Sequence, residues 1–142
     1  DHDLSSYFDD ADWVFHLAGM ADIVPSIEKP EAYFKSNVEG TFNVLQAAKS
    51  ASVKSFVYSA SSSCYGLPDL FPTPEGCEIK PMYPYALTKY LGEQLVTHWH
   101  QLYALPVTSL RLFNVFGPNQ RGDSPYATAI AAWCEKIKET KQ

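Results

Sequence analysis

A tyrosine and a lysine four residues apart form the pair in this sequence most suited to proton transfer. Tyr85 and Lys89 share one face of any helix formed there, because residues four apart are neighbours on a helix surface. A phenol is a poor base at neutral pH, since its ordinary pKa is about 10. A nearby cation favours the phenolate, so the pair predicts a tyrosine that accepts a proton. The alternative is a solvated lysine beside a half-buried tyrosine.

A run of three serines precedes this pair along the chain. Ser61 opens the run, directly after a predicted strand, where a hydroxyl can orient the hydroxyl of a substrate. The alternative is a polar turn whose hydroxyls cap the local backbone. The predicted topology places Ser61 opposite Tyr85, which favours the first interpretation.

Alternating strands and helices must position these residues. The pattern predicts strands at residues 12–19, 55–60 and 107–113, and helices at 31–51, 84–103 and 126–139. Crossovers of this length predict right-handed βαβ units in a parallel α/β sheet. The continuous apolar run at 12–19 is typical of a strand covered on both faces. The proline-rich stretch from Gly66 to Pro84 is predicted to be a loop.

Ligands of such sheets bind beyond the carboxyl ends of the strands. Those ends are residues 18–19, 59–63 and 113–114, and small or polar side chains cluster at all three. The fold therefore predicts a site where the sequence places its reactive groups. Two other candidates are assigned to the core instead: His16 as a satisfied buried histidine and Cys64 as a small buried side chain.

Composition narrows the class of protein. The chain has 142 residues, 46% of them hydrophobic, which is enough for one domain and too apolar for a disordered chain. Its net charge of -5, with scattered lysines and arginines, argues against a nucleic-acid partner. No apolar run approaches the roughly 20 residues of a membrane span, so no membrane partner is expected. Three cysteines without metal-ligand spacing predict a reduced, cytoplasmic protein that holds no metal.

Five motifs, in order and at the expected spacing, carry a family resemblance. They are residues 14–19 (VFHLAG), 37–41 (NVEGT), 61–66 (SSSCYG), 85–89 (YALTK) and 111–118 (RLFNVFGP). Together they resemble the extended short-chain dehydrogenase/reductase superfamily, and within it the NAD-dependent nucleotide-sugar epimerases and dehydratases. The resemblance implies a partial Rossmann-type doubly wound parallel sheet, about strands 4 to 6 with their helices.

The resemblance also implies a role for each site residue. Tyr85 would be the general base, Lys89 would hold the nicotinamide ribose of NAD and lower the pKa of Tyr85, and Ser61 would hydrogen-bond the reacting sugar hydroxyl. The resemblance also implies NAD contacts at Tyr85 and Lys89 themselves and at Ala18, Gly19, Ser59 and Asn37. It implies substrate contacts at Ser62 and Asn114, beside Ser61. For Asn37, a structural role within its helix is the alternative.

The serine run distinguishes reactions within the family. Dehydratases carry an acid pair directly after the Ser/Thr, but Ser62 and Ser63 occupy those positions here. Decarboxylases carry an acid in the same stretch, and residues 59–66 contain none. The resemblance therefore implies a 4-epimerase of a UDP-hexose, UDP-N-acetylhexosamine or UDP-uronate that forms a 4-keto intermediate. The alternatives are another NAD(P)-dependent nucleotide-sugar reductase, dehydratase or decarboxylase, or a non-catalytic Rossmann-like binding fragment.

One part of the family pattern is not found in this sequence. No spacing of its glycines reproduces the phosphate-binding Gly-x-x-Gly-x-x-Gly turn. Residues 1–142 are therefore expected to be a partial NAD-binding domain, without the N-terminal glycine-rich half and the C-terminal substrate lobe. The strand at 12–18 would then be an open apolar edge. The chain alone is expected to fold marginally or to associate, to bind NAD weakly or not at all, and to be inactive.

An apolar stripe predicts self-association. Leu87, Leu91, Leu95 and Trp99 recur every fourth residue, on the side of the 84–103 helix roughly opposite Tyr85. Monomers rarely expose such a stripe, so a homodimer through the helices at 31–51 and 84–103 is expected. The alternative is that a segment outside residues 1–142 covers the stripe. The family-level expectation for the pathway is the supply of polysaccharide precursors.

Overall fold

The computed structural model describes residues 4–120, 122, 127 and 129–140. Within them, three strands are β1 (Trp13–His16), β2 (Ser55–Ser61) and β3 (Val107–Leu112). The helices are α1 (Val24–Glu28), α2 (Pro30–Phe34), α3 (Gly40–Ser50), α4 (Pro84–Tyr103) and α5 (Ala129–Thr140). The chain divides into two compact units, residues 1–111 and 112–142, and α5 belongs to the second.

The sheet has the parallel α/β form that the sequence predicts. The strands are hydrogen-bonded in the order β1-β2-β3, so β1 lies at an edge, as expected. β1 and β2 run parallel, with Trp13 opposite Ser55 and His16 opposite Tyr58. On the other side of β2, the Phe56 amide donates to the carbonyl of Pro106, the residue just before β3.

The core lies between one face of the sheet and helices α3 and α4. β2 alternates strictly, with Phe56, Tyr58 and Ala60 buried and the residues between them half-buried. These side chains pack with Leu45 of α3 and Val96 of α4. Burial of each large apolar side chain stabilises the fold by about 1.5–3 kcal/mol, so this cluster determines how α4 sits on the sheet.

The prediction that β1 is covered on both faces is wrong. Trp13 and Phe15 are 61% and 62% exposed, and only His16 of this strand is buried. Helix α3 contacts β1 from the His16 side. No element described within the first unit packs over the other face, where the rings of Trp13 and Phe15 stack at 6.2 Å. A continuous apolar run fits a buried strand and a half-covered edge strand equally well.

The predicted helix at 31–51 is three segments. α2 and α3 are joined by a π-helical turn, Lys35–Glu39, whose extra residue per turn shifts the helix phase. The short α1 was not predicted, because five residues leave no periodic pattern. The predicted bounds of the 84–103 helix are confirmed. The predicted helix at 126–139 is present as α5, although residues 126 and 128 lie outside the described residues.

The leucine stripe does not point outward along its whole length. Leu87 is 45% exposed, but Trp99 is only 7% exposed and packs edge-on against Phe42 of α3. The reason is helix geometry, since residues four apart drift by about 40° per step on a 3.6-residue helix. Over three steps the stripe turns by about 120° and passes from solvent into the core.

Two negative findings hold for the described ranges. None of their helices is both long and apolar enough to cross a membrane. The same part of the chain contains no cluster of three His, Cys, Asp or Glu side chains that would hold a metal ion.

Candidate active site

Helix α4 carries Tyr85 and Lys89 in its first two turns. Pro84 begins the helix, where its missing N–H costs no hydrogen bond. Lys89 is buried, and its Nζ lies 4.7 Å from the ring centroid of Tyr58 on β2. Burial lowers the pKa of Lys89 to about 8. The amine is therefore mostly a cation at pH 7, held in a place where charge is costly.

Asn37 joins the end of β1 to α4. Its Oδ1 accepts from the Met20 amide at 2.7 Å, and its Nδ2 donates to the Met20 carbonyl at 3.0 Å. The same Nδ2 donates to Thr88 Oγ1 at 3.1 Å, one residue before Lys89. Asn37 is fully buried and lies in the π-helical turn. It therefore fixes the backbone beyond β1 relative to the helix that carries the tyrosine and the lysine.

Gly19 completes this junction. A Cβ at this residue would lie 2.9 Å from Asn37 Oδ1 and 3.8 Å from Lys89 Nζ. Any larger side chain would displace the Asn37 amide or fill the space beside the ammonium. The structure therefore brings Gly19, Asn37 and Lys89 together, and the exposed Ala18 precedes them.

His16 is the buried core histidine that the sequence predicts. Thr41 Oγ1 donates to the Asn37 carbonyl at 2.7 Å, so its lone pair is left to accept from His16 Nε2 at 2.9 Å. This arrangement assigns the Nε2–H tautomer to a neutral ring. Burial, with the charge of Lys89 as a second cause, lowers the pKa of His16 to about 4.

Acid should therefore destabilise the fold through His16. The unfolded state takes up a proton near pH 6.5 and the folded state only near pH 4, so stability falls as the pH drops through this interval. Between pH 7 and pH 5 the loss from this one group is about 2 kcal/mol. Urea unfolding at both pH values should show that His16→Gln, which keeps an N–H donor, loses this sensitivity. His98→Gln, at an exposed position on α4, should retain it. An equal pH slope in wild type and His16→Gln would contradict the assignment.

Tyr85 is half-buried at the start of α4. Its ring packs edge-on against Tyr33, with centroids 6.4 Å apart, and the Tyr33 hydroxyl donates to the Ala21 carbonyl. Among the residues that the structure describes, nothing forms a hydrogen bond with the Tyr85 hydroxyl. The phenol is thus held by its ring, while its oxygen stays available to a ligand.

The serine run forms a short capped turn. Ser61 Oγ accepts from the Ser63 amide at 3.2 Å and lies 2.8 Å from Ser63 Oγ, which caps a 3-10 turn at Ser62–Tyr65. The turn packs against α4. The turn-capping alternative is thus realised. No hydrogen bond links Ser61 to Tyr85 within the described part of the chain.

Three further predicted residues lie at separate places. Ser59 and Ser62 are half-buried, near the carboxyl end of β2 and in the 3-10 turn. Asn114 is exposed and belongs to the second unit, after the end of β3. Cys64 is buried within the 3-10 turn, and burial raises the pKa of its thiol, which confirms the predicted core position.

An ion pair between the buried Glu93 and the half-buried Arg111, behind the turn, was missed by sequence reasoning. Arg111 of β3 donates from Nε to both carboxylate oxygens of Glu93 on α4 at 3.1 Å, and its Nη2 lies 3.0 Å from Glu93 Oε1. Its Nη1 donates to the Tyr65 hydroxyl at 2.8 Å and to the Glu75 carbonyl at 3.1 Å. Glu93 first, and then the Tyr65 hydroxyl, raise the pKa of Arg111 above its ordinary value. One guanidinium therefore joins strand, helix, turn and loop.

The sequence offered one weak signal for this pair. Glu93 lies four residues after Lys89, on the helix face that already carries the candidate catalytic pair. Arg111 begins the motif at residues 111–118, which by itself assigns no partner to its guanidinium. An acid on the buried side of a helix needs a partner, so its position alone points to a buried cation.

The comparisons with known proteins identify a family for this chain. The chain matches the family described as "NAD dependent epimerase/dehydratase family" over residues 1–142. It is 37% identical over 115 residues to UDP-glucuronate 4-epimerase 1 of Arabidopsis thaliana. This match covers 80% of this chain and 27% of the relative.

Two solved structures are similar in sequence and in fold. The UDP-N-acetylglucosamine 4-epimerase of Methanobrevibacter ruminantium M1, in complex with UDP-N-acetylmuramic acid, is 35% identical with a TM-score of 0.92. That match covers 99% of this chain and 45% of the other. The UDP-glucuronic acid 4-epimerase of Bacillus cereus, in complex with UDP-glucuronic acid and NAD, is 31% identical with a TM-score of 0.84, over 98% of this chain and 43% of the other.

These matches show the family but span only part of each relative. The chain covers about a third of the length of a second curated relative, the UDP-glucose 4-epimerase of Rhizobium leguminosarum bv. trifolii. Since the family match extends over the whole chain and the fold agrees with solved members, this chain belongs to the NAD-dependent epimerase/dehydratase family.

Proposed function

We propose that this protein is a nucleotide-sugar 4-epimerase that acts on a UDP-sugar with tightly held NAD. The observation that carries the proposal is the buried Lys89, placed beside Gly19 and Asn37 and one helical turn after Tyr85. The names of the relatives support the substrate class, because they are 4-epimerases of UDP-glucuronate, UDP-glucose and UDP-N-acetylglucosamine.

The residues present fit a nicotinamide nucleotide. Lys89 forms no ion pair among the described residues, so its ammonium is free to donate to ribose hydroxyls. The small Ala18 and Gly19 leave the backbone beyond β1 open to a ligand, and Asn37 holds that backbone in place. Ser59 adds a hydroxyl near the end of β2. NAD held there would supply the acceptor for the hydride of sugar C4 and the donor for its return.

The side chains of this chain move the proton. Lys89 favours the Tyr85 phenolate, which removes the proton from the C4 hydroxyl as the C4–H bond breaks, leaving a ketone at C4. The phenol returns that proton to the C4 oxygen when hydride adds to the opposite face. The Ser61 hydroxyl orients the sugar hydroxyl, with Ser63 as its hydrogen-bond partner on the protein side. Ser62 and Asn114 are proposed to contact the substrate.

The polar turn favours epimerisation over elimination of water. Ser62 and Ser63 occupy the positions where dehydratases carry acids, and an aliphatic serine hydroxyl cannot act as a general acid at ordinary pH. A buried carboxylate nearby, Glu93, is held by both oxygens on Arg111 and so cannot supply the missing acid. Within the described residues, the turn thus offers no acid to expel a leaving group from a 4-keto sugar, which favours return of the hydride.

Two steps test the proposal. We first propose that residues 1–142 are part of an NAD-binding domain, so coding DNA upstream of the Asp1 codon should encode a strand followed by Gly-x-x-Gly-x-x-Gly. A start or stop codon directly there would contradict the catalytic proposal and leave only a shared ancestry with the enzymes of the family.

The protein as encoded is then incubated with NAD and UDP-glucose, UDP-glucuronate or UDP-N-acetylglucosamine, and the products are followed by proton NMR. Interconversion at C4 is expected, and loss of water from the sugar would support the dehydratase alternative instead.

We further propose that the protein is a homodimer through α2, α3 and α4. An apolar cleft of about 520 Å³ opens beside α2 and the first turns of α4. It is lined by Pro30, Phe34, Pro81, Met82, Tyr83 and Leu87, among other residues. Phe34 and Leu87 are 46% and 45% exposed, which fits a surface that a second copy covers.

We also propose a cytoplasmic location, which the three free cysteines support. The substrates of the family support a role in the supply of polysaccharide precursors.

Leu87→Glu should break this dimer. A charge in the centre of an apolar interface is left unpaired, so the protein should sediment as a monomer in analytical ultracentrifugation. The matched control is Leu102→Glu, near the opposite end of the same helix and also exposed, which should sediment as the wild type does. A Leu87→Glu protein that remains a dimer would rule out this surface.

A further inference from the structure

The ammonium of Lys89 is buried without a carboxylate beside it. No acid lies within ion-pair distance in the described ranges, and burial is the only cause that lowers the pKa of this lysine. A buried ammonium is costly unless another group stabilises its charge. The group found there is an aromatic face, since Nζ lies 4.7 Å from the centre of the Tyr58 ring. An aromatic ring attracts a cation most strongly when both are removed from water.

The Tyr58 ring is fixed on three sides. Its hydroxyl donates to the Lys89 carbonyl at 3.2 Å, which ties the strand to the helix at the lysine itself. Gly92, one turn later, leaves room for that hydroxyl, because a Cβ there would collide with it. The His16 ring packs at 5.6 Å from the centre of the Tyr58 ring. Tyr58 is fully buried, so this position is set by packing.

The other titratable groups facing this site do not replace the ring. From β1, His16 is neutral, and from β2, Tyr58 itself stays a neutral phenol because burial raises its pKa. On α4, Glu93 is held by Arg111, and Tyr85 is the group on which Lys89 acts. Asn37, from the π-helical turn, cannot titrate. Among the described residues, the aromatic face of Tyr58 is thus the contact that compensates the Lys89 charge.

We propose that Tyr58 is a positioning residue for Lys89. The Tyr58 ring keeps the buried Lys89 ammonium charged and aligned at the active site. The proposal deepens the proposed function and rests on it only for the consequence in catalysis. The charge state of Lys89 is a property of the protein without substrate. A failure of either idea can therefore be told from a failure of the other.

The pKa of Lys89 tests the proposal directly. The lysines of the protein are reductively methylated with ¹³C, the Lys89 signal is identified by its loss in Lys89→Arg, and its pKa is read by NMR titration. Tyr58→Leu removes the aromatic face and should lower the pKa of Lys89 by about half a unit to one unit. Tyr58→Phe keeps the ring and should leave the pKa within about 0.2 units of wild type. Phe56→Leu is the matched control, because it removes an equally buried ring from the same face of β2. It should leave the pKa of Lys89 unchanged.

Each outcome decides the proposal. If Tyr58→Leu does not fold, Tyr58→Met, whose unbranched and flexible side chain adapts to irregular gaps, should show the same lowered pKa. An unchanged Lys89 pKa in a folded Leu or Met variant overturns the proposal. An equal shift of the Lys89 pKa in Tyr58→Phe would assign the effect to the Tyr58 hydroxyl. An equal shift in Phe56→Leu would assign it to a general loosening of the core. Either result would reject the role proposed for the Tyr58 ring. In the active protein, the pH profile of kcat/KM should shift in Tyr58→Leu and not in Tyr58→Phe.

Discussion

Tyr85→Phe should lower kcat for C4 epimerisation by about a thousandfold, since a positioned acid or base contributes roughly 10²- to 10⁴-fold. The ring of the variant keeps its edge-on contact with Tyr33, so the fold and the binding surface are preserved. Only the oxygen that exchanges the C4 proton is removed. The dissociation constants for NAD and the UDP-sugar, measured by calorimetry, should therefore change little while turnover collapses.

The control for this variant is another tyrosine on the same helix. Tyr103→Phe alters a partly exposed residue that packs against Trp99 at the end of α4, and it should turn over as the wild type does. Unchanged turnover in Tyr85→Phe would remove the catalytic role of the pair. An active site that binds nucleotides and lacks turnover even in the wild type would instead support the non-catalytic alternative.

Arg111→Met should destabilise the fold by about 4 kcal/mol, because it leaves the Glu93 carboxylate buried without its partner. The variant also removes the hydrogen bonds to Tyr65 and to the Glu75 carbonyl. Urea unfolding at neutral pH measures the loss. Glu93→Gln should cost less, since an amide can still accept from the guanidinium. The double variant Arg111→Met with Glu93→Leu should recover part of the loss, because no buried charge is left unpaired.

An exposed ion pair provides the comparison. Lys54 and Asp12 are 2.9 Å apart at the surface, where double-mutant measurements assign such pairs about 0–1 kcal/mol. Lys54→Met should therefore be nearly neutral. If Lys54→Met lowered the free energy of unfolding as much as Arg111→Met does, the burial of Glu93 would not be the reason for the loss.

The parts of the structure that sequence predicts are those that depend on local spacing. Pro84 and the apolar repeat after it define α4 without reference to any other element, and the four-residue spacing of Tyr85 and Lys89 is sufficient to place them on one face. The alternating apolar residues of β2 similarly predict its buried side. In each case the decisive interactions lie within a few residues of one another.

The parts that were missed depend on contacts between distant segments. The π-helical turn at 35–39 has no local marker, and its effect is seen only in the bonds of Asn37 to Met20 and Thr88. The uncovered face of β1 depends on what packs against the sheet, which composition does not reveal. The inward turn of Trp99 follows from the drift of a four-residue repeat, and Phe42 on α3 decides where it ends.

The bonds of Asn37 to Met20 have a consequence for how this junction tolerates change. The amide pairs with both the N–H and the C=O of residue 20, as a neighbouring strand would, so it recognises backbone and ignores the side chain. Residue 20 is thus free to vary in sequence without loss of the junction. Asn37 has no such freedom, because an aspartate lacks the donor and a leucine lacks both groups. The position of the loop beyond β1 is therefore determined by Asn37, a residue of the helical segment that faces the loop.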